Sequence, residues 1–514
     1  LSSENEKIAI LDFGSQYTQL IARRVRSNSV YSEILPPSIS DKYIKNNNIK
    51  GIILSGGPHG VYEKDSPLIS RKILCGGIPI LGICYGHQII AYLMGGKVEK
   101  TSHREFGYAE IYIQKKDKIF KNIPPKLKVW MSHGDRVKKL PSDFITLGHT
   151  KSTAYGAIKH KTLPIYGLQF HPEVSHSQMG NKIISNFLFG ICKCKGNWNM
   201  ESFIKASREE ISQKVGKNRV IVGLSGGVDS AVTSILLKNT VGKNLFVIFV
   251  NNGLLREDEP ASIKKRYGDL FKDNFIYVNE EKKFLRALRN VSDPEQKRKI
   301  IGKTFIKIFE REAKKIKNIT FLAQGTLYPD RIESNPIKGP SSIIKSHHNV
   351  GGLPQKMGLK LIEPLKNLFK DEVREVGTLL GLPKEIIFRH PFPGPGLAVR
   401  IIGSVSQKRL DILRQADAIF SEEIRQKGLY HSIWQAFCIL LPVKTVGVMG
   451  DKRTYENVII LRAVTSKDGM TADWFPFSQE FLTKVSNRII NEVAGVNRVA
   501  YDISSKPPST IEWE

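Results

Sequence analysis

Apolar residues in this chain gather in short runs that end in glycine or another turn-forming residue, with stretches of helical periodicity between them. Lys7 to Phe13, Gly51 to Leu54 and Ile78 to Gly82 are such runs, and Arg219 to Leu224, Leu245 to Val250 and Phe321 to Ala323 repeat the theme further on. Short continuous apolar runs alternating with helices predict strands of parallel sheets buried on both faces. An amphipathic stretch from Phe203 to Val215 restarts the pattern after Gly196-Asn197-Trp198. The segment His390-Pro391-Phe392-Pro393-Gly394-Pro395-Gly396 then interrupts it, a rigid hinge in which neither helix nor strand continues. Beyond it the pattern predicts a helix over Gln407 to Arg425, strands over Gln435 to Leu441, Thr445 to Met449 and Val458 to Ala463, and a helix over Ser478 to Val493. The fold class expected is α/β: two doubly wound α/β domains, residues 1–195 and 196–393, and a small C-terminal α+β dimerisation domain, residues 394–514, with antiparallel strands covered by a second copy.

Composition changes this picture little. With 514 residues the chain is too long for one core, and 41% apolar with 25% charged residues suits a globular protein. No apolar run approaches the ~20 residues of a membrane span, and the first residues lack a signal-peptide pattern, so the cytosol is the expected compartment. Five cysteines, Cys75, Cys84, Cys192, Cys194 and Cys438, spread over the chain, argue for reduced thiols. Cys192-Lys193-Cys194 is too closely spaced for a zinc knuckle. The net charge of +29 is out of line. Its lysines are dispersed, as in Asp41 to Lys50, which reads as compositional bias over solvated faces and not as the basic patch expected for a nucleic-acid partner.

Candidate chemistry sits where strands end. Gly82-Ile83-Cys84-Tyr85-Gly86-His87-Gln88 has the G-x-C-x-G spacing of a nucleophile elbow, which exposes a thiol at the apex of a sharp strand-to-helix turn. Cys75 has no flanking glycine pair and reads as a buried structural thiol. A thiolate attacking a carbonyl needs a proton carrier and an orienting group, and Gln169-Phe170-His171-Pro172-Glu173 supplies both, since residues two apart share a side in an extended segment. Ser55-Gly56-Gly57-Pro58 offers the Gly57 amide, with that of Tyr85, as an oxyanion hole, or is a plain turn. Ser225-Gly226-Gly227-Val228-Asp229-Ser230 ends one strand and opens a helix. Adjacent glycines and the unpartnered amides of a helix start make an anion cradle. The lysine of a G-x-x-x-x-G-K-[ST] loop is missing, so a different part of ATP is gripped. Asp330 and Glu333 either help hold magnesium, with Asp229, or cap a helix. Lys345, within a glycine-flanked segment, would bring positive charge to the phosphates as a lid closes. His347 and His348, being adjacent, do not converge on one zinc ion. The last segment, Lys506-Pro507-Pro508-Ser509-Thr510-Ile511-Glu512-Trp513-Glu514, is built to fold back onto a ligand instead of fraying.

The first domain resembles the class I glutamine amidotransferases through its Gly-Gly-Pro loop, cysteine elbow and His-x-Glu pair. That resemblance implies Cys84 as nucleophile, His171 as base, Glu173 as orienter and Gln88 as a contact to glutamine; Ser132-His133-Gly134-Asp135 also fits, with the histidine unassigned. The cradle resembles the pyrophosphate loop of ATP pyrophosphatases, which cleave ATP between the α and β phosphates and adenylate a carbonyl oxygen. Both domains, the hinge and the tail together resemble the glutamine-hydrolysing GMP synthetases over essentially the whole chain. The family reaction is XMP, ATP, glutamine and water to GMP, AMP, pyrophosphate and glutamate, with ATP as substrate, Mg2+ shielding its phosphates, and a homodimer. Matching positions then imply XMP contacts at Arg256, Arg298, Gln435, Lys506, Ile511 and Glu512. Two alternatives stay open: an amidotransferase making NAD from its deamido precursor, which has no need of the Lys506 to Glu512 tail, and a nucleic-acid binder without glutaminase activity.

Overall fold

The computed structural model describes residues 6–334, 358–466, 469 and 471–514. The chain divides into two compact units, one holding the described residues up to 206 together with 331–334 and the other holding 207–330 and the described residues from 358 on. The first unit is built on a nine-stranded sheet in the order β2-β1-β3-β4-β9-β8-β7-β5-β6. Its strands are β1 (Lys7–Leu11), β2 (Tyr31–Leu35), β3 (Ile49–Leu54), β4 (Ile80–Ile83), β5 (Lys97–Ile113), β6 (Lys126–Lys139), β7 (Phe144–His149), β8 (Ala157–His160) and β9 (Ile165–Leu168). From β2 to β9 every neighbour is parallel, and all residues of β1 and β4 are buried, which is why these segments read as unbroken apolar runs. Beyond β9 the pairing is antiparallel, where the sequence pattern predicts parallel strands alone. Buried positions alternate with more open ones along the first half of β6, the pattern of a half-buried strand in an antiparallel sheet.

The second unit contains two sheets. The first is wholly parallel, in the order β12-β11-β10-β13-β14, from β10 (Arg219–Leu224), β11 (Leu245–Asn251), β12 (Phe275–Asn279), β13 (Ile319–Ala323) and β14 (Lys360–Ile362). The second joins β15 (Gln435–Met449), β16 (Lys452–Thr465), β17 (Asp473–Trp474) and β18 (Val496–Tyr501). Gln435 to Leu441 and Thr445 to Met449 are one strand, its ladder interrupted between Leu440 and Lys444, around Pro442, which has no N–H to donate. β18 pairs parallel to β16, so this sheet is mixed where antiparallel pairing alone was expected. One apolar cluster runs from Ile221 on β10 through Leu397, Leu410 and Phe420 to Val496 on β18. No helix among the described residues is long and apolar enough to cross a membrane.

Glycines set how closely the helix Tyr85–Leu93 lies on the parallel strands. A Cβ on Gly86 would stand 2.4 Å from the Leu54 carbonyl oxygen of β3, and one on Gly82 would stand 2.5 Å from the Gly86 backbone. Cys75 corrects the reading given above: it is exposed, capping the short helix Arg71–Leu74. Gly86→Ala must push the helix off β3, an overpacking that costs about 1–3 kcal/mol. A urea titration followed by circular dichroism should show a lower midpoint for unfolding of the first unit; an unchanged midpoint would mean the contact yields at no cost.

Candidate active site

The elbow forms as a strained turn. β4 ends at Ile83, and Cys84 takes φ 53° and ψ −103° as the N-cap of the helix Tyr85–Leu93. Few non-glycine residues accept a positive φ. Backbone bonds from the Cys84 N–H to the Leu168 carbonyl (2.8 Å) and from the Gly86 N–H to the Ser55 carbonyl (3.0 Å) hold it there. Cys84 Sγ lies 3.5 Å from the Ser132 carbonyl oxygen and 3.9 Å from Gln169 Nε2. As the first helical residue, Tyr85 has an N–H with no intrahelical acceptor, next to the sulfur. Gly57 is required by space: a Cβ there would meet the Phe13 carbonyl at 2.7 Å and the Tyr85 ring at 3.1 Å.

His171 and Glu173 follow β9 through a bend, not as the extended segment expected, yet their side chains meet. His171 Nδ1 is 2.7 Å from Glu173 Oε1, with the imidazole 3% exposed and the carboxylate fully buried. The His171 N–H donates to the Trp130 carbonyl, Ser177 Oγ donates to the His171 carbonyl, and Arg24 Nε donates to that of Glu173. Burial opposes a charged imidazole, but the Glu173 carboxylate and the Cys84 sulfur raise the His171 pKa well above the usual histidine range. The structure thus joins sulfur, imidazole and carboxylate in the order the sequence implies.

Gln88 points its amide at the Asp135 carbonyl (2.8 Å) and at Gln169 Oε1 (3.4 Å), so it braces the strand beside the thiol. On that strand His133 Nδ1 is 3.0 Å from the Asp135 carbonyl and Nε2 is 3.0 Å from Glu105 Oε2. Burial works against the charge on Glu105, but His133, Ser152 and Thr153 pull its carboxyl down to about 2. Sequence reasoning missed Glu105, whose partners come from β6, through His133, and from the turn after β7, through Thr150, Ser152 and Thr153.

In the second unit the loop after β10 is internally laced. Gly226 has φ +80°, and Gly227 caps the helix Val228–Val241. The Ser225 N–H donates to Ser230 Oγ (3.1 Å), the two hydroxyls are 3.0 Å apart, Ser230 Oγ donates to the Gly227 carbonyl (3.0 Å), and the Gly227 N–H donates to Ser225 Oγ (3.3 Å). Val228 is buried beneath the loop. Asp229 faces Lys370, whose Nζ is 2.7 Å from both carboxylate oxygens. Lys370 was not singled out from sequence because it is 141 residues away. Asp330 Oδ2 accepts the Leu327 N–H at 2.9 Å and so caps the helix Tyr328–Ser334. The Glu333 side chain and Lys345 lie outside the described residues. Among the described residues no group of three or more His, Cys, Asp or Glu could hold a metal ion.

The tail folds back onto the protein's own side chains. Glu512 is gripped by Arg400, with Nη2 and Nε at 2.9 and 3.2 Å, and by Gln435 Nε2 at 2.6 Å. Arg400 is fully buried and reads from sequence as one polar residue in an apolar run. Arg256 is 3.0 Å from Asp417 and donates to the Ala436 carbonyl at 3.3 Å. Burial, with Arg400 and Arg389 nearby, lowers its pKa, and Asp417 opposes the shift. Ile511 packs on Phe437, Ile439, Val458 and Ile460. The buried Arg462 donates to the carbonyls of Ser504, Thr510 and Ile511. Two of the expected contacts are engaged to one side: Lys506 Nζ with the Gly469 carbonyl, and Arg298 Nη2 with that of Glu514.

Residues 9–191 match the family described as glutamine amidotransferase class-I, residues 200–261 that described as NAD synthase, and residues 422–513 that described as GMP synthase C terminal domain. The last match covers the tail from Lys506 to Glu512. Over 99% of its length the chain is 57% identical to GMP synthase [glutamine-hydrolyzing] of Brachyspira hyodysenteriae, covering 99% of that protein. It is 54% identical over 99% of its length to the enzymes of the same name from Aquifex aeolicus and Thermosipho melanesiensis, covering 100% and 99% of them. With likeness of this extent across both units, the chain belongs to the glutamine-hydrolysing GMP synthase family.

Proposed function

We propose that this chain aminates XMP to GMP with ammonia released from glutamine, cleaving ATP to AMP and pyrophosphate through an adenylated XMP. It is a ligase that forms a C–N bond. The observation that carries this reading is the elbow thiol with its His171–Glu173 pair in the same chain as the loop Ser225 to Ser230.

In the first unit, Cys84 Sγ attacks the side-chain carbonyl of glutamine, and the N–H groups of Tyr85 and Gly57 receive the oxyanion. His171 delivers its proton to the departing nitrogen, so ammonia leaves and a thioester remains. It then takes a proton from water, whose oxygen displaces the sulfur and yields glutamate. In the second unit, the loop amides and Lys370 face the β and γ phosphates of ATP. The XMP C2 oxygen attacks the α phosphorus, pyrophosphate leaves, and ammonia replaces the adenylyl group as AMP. Arg256, Gln435, Lys506, Ile511 and Glu512 are the proposed XMP contacts, with Arg298 supporting the tail. Magnesium belongs to this reading as a companion of the ATP phosphates. Asp229 and Asp330, whose carboxylates meet Lys370 and the Leu327 N–H, keep oxygen lone pairs that would hold it, and no step here runs through the ion. The cytosol is the compartment in which these substrates are free. Segments 1–195, 196–393 and 394–514 serve as glutaminase, ATP-cleaving and XMP-binding parts. A second copy covers the third through Val446, Val448 and Tyr455, which are exposed on the β15–β16 hairpin.

Three outcomes are expected. Cys84→Ala abolishes GMP formation from glutamine but leaves formation from added ammonium, with GMP and AMP read together; loss of both, or ADP in place of AMP, contradicts the scheme. Glu173→Gln removes the charge that raises the His171 pKa, so the alkaline limb of glutamate release moves to lower pH while the rate falls by about a hundredfold or more. A limb that stays in place would deny Glu173 its electrostatic part. Val448→Glu shifts sedimentation velocity toward a single chain; a wild-type protein that already sediments as one chain rejects the pairing surface.

A further inference from the structure

Arg389 lies just before the proline-rich segment and contacts both halves of the second unit's proposed chemistry. Its Nη1 donates to the Gly226 carbonyl at 3.0 Å. In a trans peptide the carbonyl and the following N–H point opposite ways. Holding the Gly226 carbonyl outward on Arg389 therefore turns the Gly227 N–H to the inner side of the loop, where Ser225 Oγ is 3.3 Å away. That N–H lies at the start of the helix Val228–Val241, among the donors that meet an anion. The same nitrogen of Arg389 is 2.7 Å from Glu259 Oε1. A Cβ on Gly226 would touch Glu259 Oε1 at 3.1 Å and Ile263 at 2.9 Å, so the loop lies flush against the helix Glu259–Phe271.

On its other side Arg389 belongs to a cluster around Phe392. Its guanidinium is 5.7 Å from the ring centre, that of Arg256 is 5.2 Å away, and that of Arg400 is 5.1 Å away. Each has a carboxylate of its own: Glu259 for Arg389, Asp417 for Arg256 and Glu512 for Arg400. Glu259 also accepts the Arg256 backbone N–H at 3.4 Å through its second oxygen. One side chain thus spans from the loop facing ATP to the wall facing XMP.

We infer that Arg389 is a positioning residue that sets the ATP loop and the XMP wall together, so that both nucleotides depend on it although it need touch neither. The inference rests on the assignment of ATP to residues 225–230 and of XMP to the wall of Arg256, Gln435 and Glu512. Because one nitrogen makes both polar contacts, a lysine can replace them, but it has no planar face to lay on Phe392.

The test is ammonium-driven GMP synthesis by the full chain, varying ATP at saturating XMP and XMP at saturating ATP. Arg389→Met should raise KM for both nucleotides by about tenfold, the loss of a charged hydrogen-bonded contact. Arg389→Lys should return KM for ATP to within about threefold of wild type while KM for XMP stays raised. A fall in kcat with both KM values unchanged, a rise confined to one nucleotide in Arg389→Met, or full recovery of both by lysine overturns the inference. Should the methionine variant lose its cooperative thermal transition, the split in the lysine variant decides alone. A wild-type protein that makes no GMP from XMP rejects the functional reading instead, before Arg389 comes into question.

Discussion

Close contact between backbones at the carboxyl ends of parallel strands is the constraint on which both candidate sites depend. A helix that starts there can aim its unpartnered amides at a ligand only if nothing projects between it and the strands. Glycine meets that need four times: Gly82 and Gly86 at the elbow, Gly57 against the Phe13 carbonyl, and Gly325, whose Cβ would meet Asp229 at 3.2 Å. The approach has a consequence for its neighbours. With glycines on both sides taking up the contact, Cys84 is left with the positive φ, and its sulfur stands clear of the strand, facing His171.

Those local requirements are also what made the sites legible. Glycine spacing, the strand ends and the His-x-Glu pair are encoded within a few residues, so the elbow, the anion loop and the central parallel strands could be read directly. The edges were harder. β6 carries half-buried alternation along its first half, and β18 pairs with β16 only through the intervening helix Gln479–Glu492, so neither repeats the buried-strand pattern. Partners far apart in sequence left no local signal at all. Lys370 meets Asp229 across 141 residues, Arg389 meets Gly226 across 163, and Arg400 meets Glu512 across 112. Arg400 in Gly396 to Gly403 looks like an interruption of a core segment until the tail arrives beside it.

The charge of the chain divides in a similar way. The excess of +29 is spread over many lysines, whereas the three guanidiniums around Phe392 in the second unit are matched one for one. Local neutrality is what burial demands, because an unpaired guanidinium in an apolar wall pays a large desolvation penalty. The dispersed surplus therefore says little about this wall, and a long-range field and a local binding geometry can be set independently.

Buried pairs of this kind are weak contributors to stability. Replacing such a pair by apolar side chains of equal volume is often neutral or favourable, whereas removing one member leaves the other charged and buried at a cost of about 3–5 kcal/mol. Arg400 with Glu512, and Arg462 with Asp502 and three tail carbonyls, are thus poor means of closing a core that Leu397, Phe420 and Phe437 already fill. What these pairs provide is direction. A guanidinium offers its donors in one plane, so the carboxylate and carbonyls bound to it are fixed in rotation as well as position. A tail held only by apolar contacts could slide along the sheet by a residue and bury as much area. One held by Arg462 and Arg400 cannot, and the placement of Glu512 beside Gln435 follows from that restriction.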